Sequence, residues 1–182
     1  MTEKDLIRCE LLVVRWQQGQ CQRAAEDLVE LFQRPLLYYL RRLVRSEADA
    51  WDALQETFAA VLKSLRSLRD GRALPAFIYR TARNAALGQQ RRRREEPLLE
   101  DVAEITLDVA DVQLAAEEAA AVHRGLELLP LPQRETLTLF FLEDLSIAQI
   151  AEVTGVPEGT VKSRLFHAKR ALRRLLEGAG HE

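Results

Sequence analysis

The chain has 182 residues, of which 47% are hydrophobic and 30% are charged, so a soluble protein with a buried core is expected. It lacks a run of about 18 apolar residues, and no membrane insertion is therefore expected. Its two cysteines, Cys9 and Cys21, cannot form a disulfide scaffold and match no CxxC zinc or redox spacing. We expect a cytoplasmic protein with reduced cysteines.

The net charge of −2 hides an uneven distribution of charged residues. Residues 1–94 carry a net charge of +7, residues 95–122 carry −9, and residues 123–182 are neutral overall. The lysines and arginines concentrate in two stretches, residues 60–94 and 160–176. Because the local field decides whether a surface attracts a polyanion, these stretches are compatible with a nucleic-acid partner.

The residue pattern predicts an all-α fold, because helix formers dominate and no period-two alternation is sustained. A first helix is predicted over Thr2–Gln18 and a second over Cys21–Arg45. Pro35 is expected to kink or break the second helix. A third helix is predicted over about Ala48–Leu68.

A turn at Asp70 and Gly71 separates the third helix from a fourth. The fourth helix is predicted to begin near Pro75 and to run through the four arginines of Arg91–Arg94.

Residues 96–113 contain acids but no lysine, arginine or aromatic residue, and they are predicted to form a linker. Helices resume near residue 114. The expected architecture is therefore two small helical domains, residues 1–95 and 114–182, joined by an acidic linker.

The second half of the chain has the pattern of a helix-turn-helix. After a predicted helix over Gln133–Leu142, Ser146 and Gln149 stand at capping-box spacing and start a short helix. Gly155 permits a tight turn, and a long helix is predicted to continue to about Leu176.

That last helix is amphipathic. Val161, Leu165, Ala168, Leu172 and Leu175 recur at spacings of 4, 3, 4 and 3 and are predicted to be buried. A solvated basic helix is one interpretation of the remaining face, but the order of cap, short helix, glycine turn and basic helix favours DNA binding in a major groove. The residues available for DNA are Thr160, Lys162, Ser163, Arg164, Phe166, His167, Lys169 and Arg170.

Three stretches, Leu131–Glu135, Ser146–Ala151 and Gly155–Leu172, resemble region 4 of bacterial sigma factors of the extracytoplasmic-function (ECF) type. The run Gly-Thr-Val-Lys-Ser-Arg-Leu at residues 159–165 is characteristic of them. The resemblance implies that this domain binds the minus-35 promoter element. Lys162, Ser163 and Phe166 are then expected to face bases, while phosphate contacts are assigned to Arg164, His167, Lys169 and Arg170.

The first half resembles region 2 of the same family. The Asp-Ala-Trp-Asp-Ala-Leu-Gln-Glu-Thr-Phe run of residues 49–58 is followed by Phe-Ile-Tyr-Arg-Thr-Ala-Arg-Asn at residues 77–84 and then by the arginine block. Trp51, Ala53, Phe77 and Thr81 depart from the family pattern. The resemblance implies that the first run binds the clamp of the largest polymerase subunit and that the second binds the minus-10 element.

Helical periodicity divides these two helices into faces. Asp52, Gln55 and Glu56 are predicted to lie opposite the core-facing residues, either on a merely solvated face or on a polymerase-binding one. In the next helix, arginines can bind phosphates, an asparagine can pair with a base edge, and an aromatic residue can stack on a melted base or be buried. The minus-10 candidates are Phe77, Arg80, Arg83, Asn84 and Arg91.

The resemblance implies a sigma factor that binds RNA polymerase core and directs promoter recognition, melting and initiation. The expected partners are the polymerase clamp, the flap of the second-largest subunit and promoter DNA. A separate anti-sigma factor is also expected, because no long extra domain follows Leu176. The acidic linker is expected to thread a basic channel of the polymerase, the alternative being a solvated tether.

Two other function classes remain open at this point. A polymerase-independent helix-turn-helix regulator would bind DNA tightly by itself, and an interaction module that sequesters another factor would not need the basic faces. The chain contains no nucleotide-binding or metalloprotease motif, so no enzymatic activity, cofactor or metal is expected. His123, His167 and His181 are interpreted as surface residues rather than ligands.

Overall fold

Eight α-helices make up most of the described chain, which comprises residues 3–95 and 115–179 of a computed structural model. No strand occurs within these ranges, as the all-α prediction requires, and none of their helices is both long and apolar enough to cross a bilayer. The predicted linker, residues 96–113, lies outside the described residues. The helices are α1 Glu3–Gln17, α2 Cys21–Leu40, α3 Glu47–Ser64, α4 Leu74–Glu95, α5 Ala115–Glu127, α6 Leu131–Leu137, α7 Ile147–Thr154 and α8 Glu158–Ala179.

Helices α1 and α2 form an antiparallel hairpin around Gly19, whose positive φ of 85° suits glycine. Arg8 donates to Glu30 across the hairpin at 2.9 Å. Of the kink or break expected at Pro35, the break is wrong, because α2 continues through it to Leu40. Its buried face, which includes Phe32 and Leu36, holds the helix in the core despite the missing N–H.

Helix α3 starts where Ser46 accepts a hydrogen bond from the Asp49 N–H at 3.1 Å. The predicted end at Leu68 is too late, since α3 ends at Ser64 and continues as a single 3₁₀ turn over Leu65–Ser67. Likewise α2 stops at Leu40 instead of Arg45. These differences of a few residues are typical of helix ends, where the last turn tightens or frays.

Gly71 lies where the turn before α4 crosses α1. A Cβ atom at this position would lie 2.5 Å from the Glu10 Cα and 2.9 Å from the Glu10 N. The neighbour is backbone, so it cannot rotate away as a side chain would. Arg72 also fixes this turn, because its Nε donates to Glu10 at 2.7 Å.

We expect Gly71→Ala to lower the free energy of unfolding by about 1–3 kcal/mol, because α1 or the turn must move to admit the methyl group. Gly159→Ala is the matched control, since a Cβ there meets no atom within 4 Å. Urea unfolding of both variants measures the effect. Equal stabilities would show that the contact between Gly71 and α1 does not constrain the fold.

The predicted capping box begins α7: Ser146 accepts from the Gln149 N–H at 3.2 Å, and the Gln149 Oε1 accepts from the Ser146 N–H at 2.9 Å. Gly155 ends the helix with a φ of 71°, which confirms the predicted turn. In α8 the predicted stripe is buried at Val161, Leu165 and Ala168 and partly buried at Leu172 and Leu175.

Between α6 and α7 the chain departs from the predicted helix over Gln133–Leu142. Residues Thr138–Leu142 form a π-helical turn, in which the Glu143 N–H donates to the Thr138 carbonyl at 3.2 Å. Asp144 then adopts a φ of 52°, which aspartate tolerates better than most residues. The wider turn leaves Phe141 and Leu142 exposed, whereas Glu143 is buried.

Candidate nucleic-acid interface

The outer face of α8 carries the predicted minus-35 residues. Most of these side chains are exposed, whereas Thr160 and Arg164 are half-buried at the edge of the face. The exposed members are Lys162, Ser163, Phe166, His167, Lys169 and Arg170. Because the opposite stripe of the helix is buried, this face is the one that α8 can present to a major groove.

Aromatic side chains alternate with basic side chains on this face. Phe166 is 57% exposed, and the Arg170 guanidinium lies 5.8 Å from its ring centroid. The Lys169 ammonium lies 4.8 Å from the ring centroid of Phe141, at the end of the π turn. Such cation–π contacts orient the long basic side chains, and an exposed phenylalanine can contact a thymine methyl group.

A groove in the C-terminal helices, α5–α8, lies next to the α8 face. Its cavity volume is about 310 Å³, and its walls are almost entirely apolar. The sequence did not predict this groove, although the three consecutive apolar residues Phe140, Phe141 and Leu142 are more than one buried stripe of a helix can accommodate. The lining residues are Val122, Leu126, Leu137, Phe141, Leu142, Lys169, Leu172, Arg173 and Leu176.

The predicted minus-10 residues of α4 have two different environments. Asn84 and Arg91 are exposed, while Phe77 is partly buried with the Arg80 guanidinium 5.8 Å from its ring centroid. Arg80 and Arg83, in contrast, meet acids of the C-terminal helices. The Arg80 Nη1 donates to Glu152 at 2.9 Å, and the Arg83 Nε donates to Glu135 at 2.8 Å.

Glu135 is the more deeply buried of these two acids, being only 3% exposed. One of its oxygens also accepts from the Tyr39 hydroxyl at 2.8 Å. A buried carboxylate is costly unless charged and hydrogen-bonding groups surround it. Burial, together with the Glu135 charge, raises the pKa of Tyr39 well above its ordinary value, so Tyr39 remains a donor.

A second tyrosine–carboxylate pair lies beside the first. The Tyr79 hydroxyl of α4 donates to Glu143, and the rings of Tyr39 and Tyr79 meet edge to face with centroids 5.3 Å apart. Burial raises the pKa of Glu143 to about 7, while the Tyr79 hydrogen bond and the Arg42 charge oppose this rise and the Asp144 charge adds to it.

His123 is half-buried between the N-terminal helices, α1–α4, and the C-terminal helices, which corrects its interpretation as a surface residue. Its Nδ1 lies 2.7 Å from the Tyr38 hydroxyl and 2.9 Å from the Arg42 Nη2. Because a guanidinium only donates, Nδ1 must be an acceptor, and the imidazole is neutral. Burial and the Arg42 charge lower the pKa of His123 accordingly.

The predicted polymerase-facing residues of α3, Asp52, Gln55 and Glu56, are all exposed. Glu56 accepts from Arg92 of α4 at 3.2 Å, a surface ion pair that also links this face to the arginine block. Trp51, a departure from the family pattern, is 38% exposed beside them. Its indole therefore adds apolar area to the face instead of filling the core.

Comparison with known proteins identifies the family. The family model for Sigma-70 region 2 matches residues 28–96, and the model for Sigma-70 region 4 matches residues 119–172. The ECF RNA polymerase sigma factor SigM of Mycobacterium tuberculosis is 39% identical over 155 residues, covering 84% of this chain and 77% of that protein. The chain belongs to the ECF family of RNA polymerase sigma factors.

Other relatives agree with this assignment. The ECF sigma-E factor of Haemophilus influenzae is 33% identical to this sigma factor over 181 residues, covering 92% of this chain and 95% of the relative. The sigma factor RpoE of Bartonella quintana, solved with the anti-sigma factor NepR, matches with a TM-score of 0.67 and 25% identity over 84% of this chain and 96% of that one. The structure of CnrH shares the fold, with a TM-score of 0.68, 24% identity and coverage of 94% and 98%.

As a sigma factor, the protein binds RNA polymerase core and directs promoter recognition and initiation, so the sigma-factor interpretation is preferred to that of a polymerase-independent regulator. Sigma factors in general are not enzymes.

The contacts of Arg80 and Arg83 with acids of the C-terminal helices were not predicted. Those acids lie 72 and 52 residues further along the chain, beyond the range of any local pattern.

The environment of Glu143 predicts a pH dependence of stability. In the folded protein the Glu143 carboxyl group stays protonated up to about pH 7, whereas its ordinary pKa is 4.5. Its contribution to the free energy of unfolding is therefore full below about pH 4.5 and falls as the pH rises towards 7. The loss is about 3 kcal/mol at most. We expect Glu143→Gln to remove this component when urea unfolding is compared at pH 5 and pH 8. An unchanged pH dependence in the variant would contradict the assignment.

Proposed function

We propose that this sigma factor uses three separate helix faces: the outer face of α8 for the minus-35 element, the face of α4 for the minus-10 element, and the exposed side of α3 for the polymerase clamp. The corresponding domains are residues 1–95 and 114–182, with residues 96–113 as the connecting acidic segment. The observation that carries the proposal is the capped helix-turn-helix whose α8 face is basic, exposed and interleaved with aromatic side chains.

On α8, we assign base contacts to Lys162, Ser163 and Phe166. The other residues of this face mainly contact phosphates and orient the helix on DNA; they are Thr160, Arg164, His167, Lys169 and Arg170. A base contact discriminates between sequences, whereas a phosphate contact adds affinity to all of them.

On α4, we assign phosphate contacts to Arg80, Arg83 and Arg91, a base edge to Asn84, and a role beside a melted base to Phe77. The exposure of Asn84 and Arg91 supports this assignment.

The apolar groove beside α8 suits the flap of the second-largest polymerase subunit. An apolar helix of the flap would fill the groove, and Lys169 and Arg173 at its edge would favour acidic residues flanking that helix. We also propose that a separate anti-sigma factor binds and controls this protein, because the similar RpoE of Bartonella quintana was solved in complex with one. The place of action is the cytoplasm, and no enzymatic activity is involved.

The proposed minus-35 contacts predict a change in sequence preference. We expect Lys162→Ala and Ser163→Ala each to reduce discrimination at one base pair by about 1–3 kcal/mol. Competition between single-base variants of the minus-35 duplex for holoenzyme measures this effect. Arg174→Ala is the control, since Arg174 is exposed on the same helix three turns further on. A preference profile that stays the same in Lys162→Ala and Ser163→Ala would refute the base contacts.

The proposed clamp face predicts a loss of core binding. We expect Glu56→Lys to weaken core polymerase binding about tenfold or more, because it reverses a charge facing the partner. The melting temperature should change little, since Glu56 is exposed and its pair with Arg92 is a surface ion pair.

Glu30→Lys is the matched control for this experiment. It makes the same charge change and breaks the exposed pair with Arg8, but it lies on α2. Equal core binding by the two variants in a titration with labelled protein would rule out the clamp assignment. A large fall in the melting temperature of Glu56→Lys would instead mean that Glu56 supports the fold.

A further inference from the structure

Arg42, which follows α2 and is only 5% exposed, faces two ionisable groups of the C-terminal helices. Its Nη2 lies 2.9 Å from the Nδ1 of His123 on α5. Its positive charge also acts on the carboxyl group of Glu143, which follows the π turn. The cation is fixed in place by Tyr38, whose carbonyl accepts from the Arg42 Nη1 at 2.8 Å and whose ring centroid lies 3.4 Å from the guanidinium.

His123 is neutral while the two sets of helices are packed. Its Nδ1 accepts from Arg42 and lies 2.7 Å from the Tyr38 hydroxyl, so a proton on Nδ1 would face a guanidinium. Burial and the Arg42 charge lower the pKa of His123, and the charge of Glu127 on the same helix opposes them only in part. In water the pKa of the imidazole returns to its ordinary 6.5, so separation of the helices lets His123 bind a proton below that pH.

Glu143 behaves in the opposite way. It is 7% exposed and accepts a hydrogen bond from the Tyr79 hydroxyl, and burial raises the pKa of its carboxyl group to about 7 in the packed protein. Burial therefore outweighs the Arg42 charge, which by itself favours the ionised carboxylate. The ordinary pKa is 4.5, so separation of the helices releases the Glu143 proton above that pH.

Other titratable and charged groups of the described chain face these residues. Burial is the main cause that raises the pKa of Tyr38, Tyr39 and Tyr79 above the ordinary value of 10, so all three hydroxyls stay protonated near neutral pH. The further charges that act on the cluster are those of Glu127, Arg134 and Asp144. The tyrosines thus supply hydrogen bonds without exchanging protons in the range where the imidazole and the buried carboxyl group do.

The two proton exchanges are opposite and cover the same pH range. Between about pH 5 and pH 6.5, separation releases the Glu143 proton to water and lets His123 take one up from water. The protein then binds the same number of protons before and after separation, and its equilibrium between packed and separated forms does not depend on pH. Either group alone would change this equilibrium about tenfold over the same range.

We propose that His123 and Glu143 are a compensating pair, which keeps the packing of the N-terminal against the C-terminal helices independent of pH between about 5 and 6.5. Acidification within this range leaves the balance between packed and separated protein unchanged. The device lies inside the interface, so it does not depend on which DNA or polymerase groups the exposed faces of α3, α4 and α8 bind.

The test measures the fraction of full-length protein in which the two sets of helices are apart. Donor and acceptor dyes are attached to exposed positions of α3 and α8 through Lys63→Cys and Arg174→Cys, with Cys21→Ser to avoid a third label, while Cys9 is buried. Single-molecule energy transfer is recorded from pH 5 to pH 6.5 at the urea concentration that leaves half of the wild type packed near the middle of this range. In molecules of low transfer, whether separated or unfolded, both titrating groups are in water.

Three variants distinguish the two contributions. In His123→Asn only Glu143 titrates, so the ratio of low-transfer to high-transfer molecules should rise about tenfold from pH 5 to pH 6.5. In Glu143→Gln only His123 titrates, so the ratio should fall about tenfold over the same range. Both changes are measured relative to the double variant, in which the rest of the protein still titrates.

The wild type should stay within about threefold of a constant ratio to the double variant. Glu177→Gln is the matched control for loss of an acid, because Glu177 forms an exposed pair with Arg173 on α8. It should keep the flat profile of the wild type.

A second measurement does not depend on the stability of the variants. Nuclear magnetic resonance of the packed wild type at pH 6 without urea should show an unprotonated Nδ1 of His123 by its ¹⁵N shift. It should also show a protonated carboxyl group of Glu143 by its ¹³C shift. His123→Asn and Glu143→Gln assign the two signals by removing them.

A wild-type ratio that changes about tenfold or more relative to the double variant would overturn the proposal. Single variants that follow the pH no more steeply than the double variant would do the same. An imidazolium at His123 or an ionised Glu143 in the packed protein at pH 6 would also overturn it. If a variant does not pack at any urea concentration, these two resonance signals decide.

Discussion

The packing of the N-terminal against the C-terminal helices depends on two buried carboxyl groups, those of Glu135 and Glu143, which are only 3% and 7% exposed. Each accepts a hydrogen bond from a tyrosine of the N-terminal helices, Tyr39 or Tyr79, whose rings pack edge to face. An unpaired carboxylate at such a position would cost several kcal/mol. The two sets of helices must therefore either meet with all four groups in register or separate and hydrate them.

Charge is segregated within the C-terminal helices in a way that the net charge conceals. Residues 123–182 are neutral overall, yet bases such as Lys162 and Arg170 occupy the outer face of α8 while the acids that contact α4 lie on α6, the π turn and α7. A neutral helical unit can thus present a cationic surface to DNA and an anionic one to its own chain. This explains how a net charge of −2 is compatible with promoter binding.

The π turn over Thr138–Leu142 creates both of the special surfaces near it. One extra residue per turn rotates the chain, so Phe141 and Leu142 point outward and form a wall of the groove, while Glu143 points inward to Tyr79. A regular helix would have placed these side chains differently, because its residues advance by 100° each. π turns of this kind are frequent at functional sites.

The sequence by itself determined the elements whose signals are local: the all-α class, the capping box at Ser146, the turn at Gly155, and the buried stripe of α8 that leaves its basic face outward. These depend on hydrogen bonds within one turn and on a 3.6-residue period, so they can be predicted from neighbours in the chain. Only the tertiary structure decided that α2 continues through Pro35, that a π turn replaces the end of the helix predicted over Gln133–Leu142, and that Arg80 and Arg83 meet Glu152 and Glu135. Those outcomes depend on burial and on pairings across 52 or more residues, which no local pattern encodes.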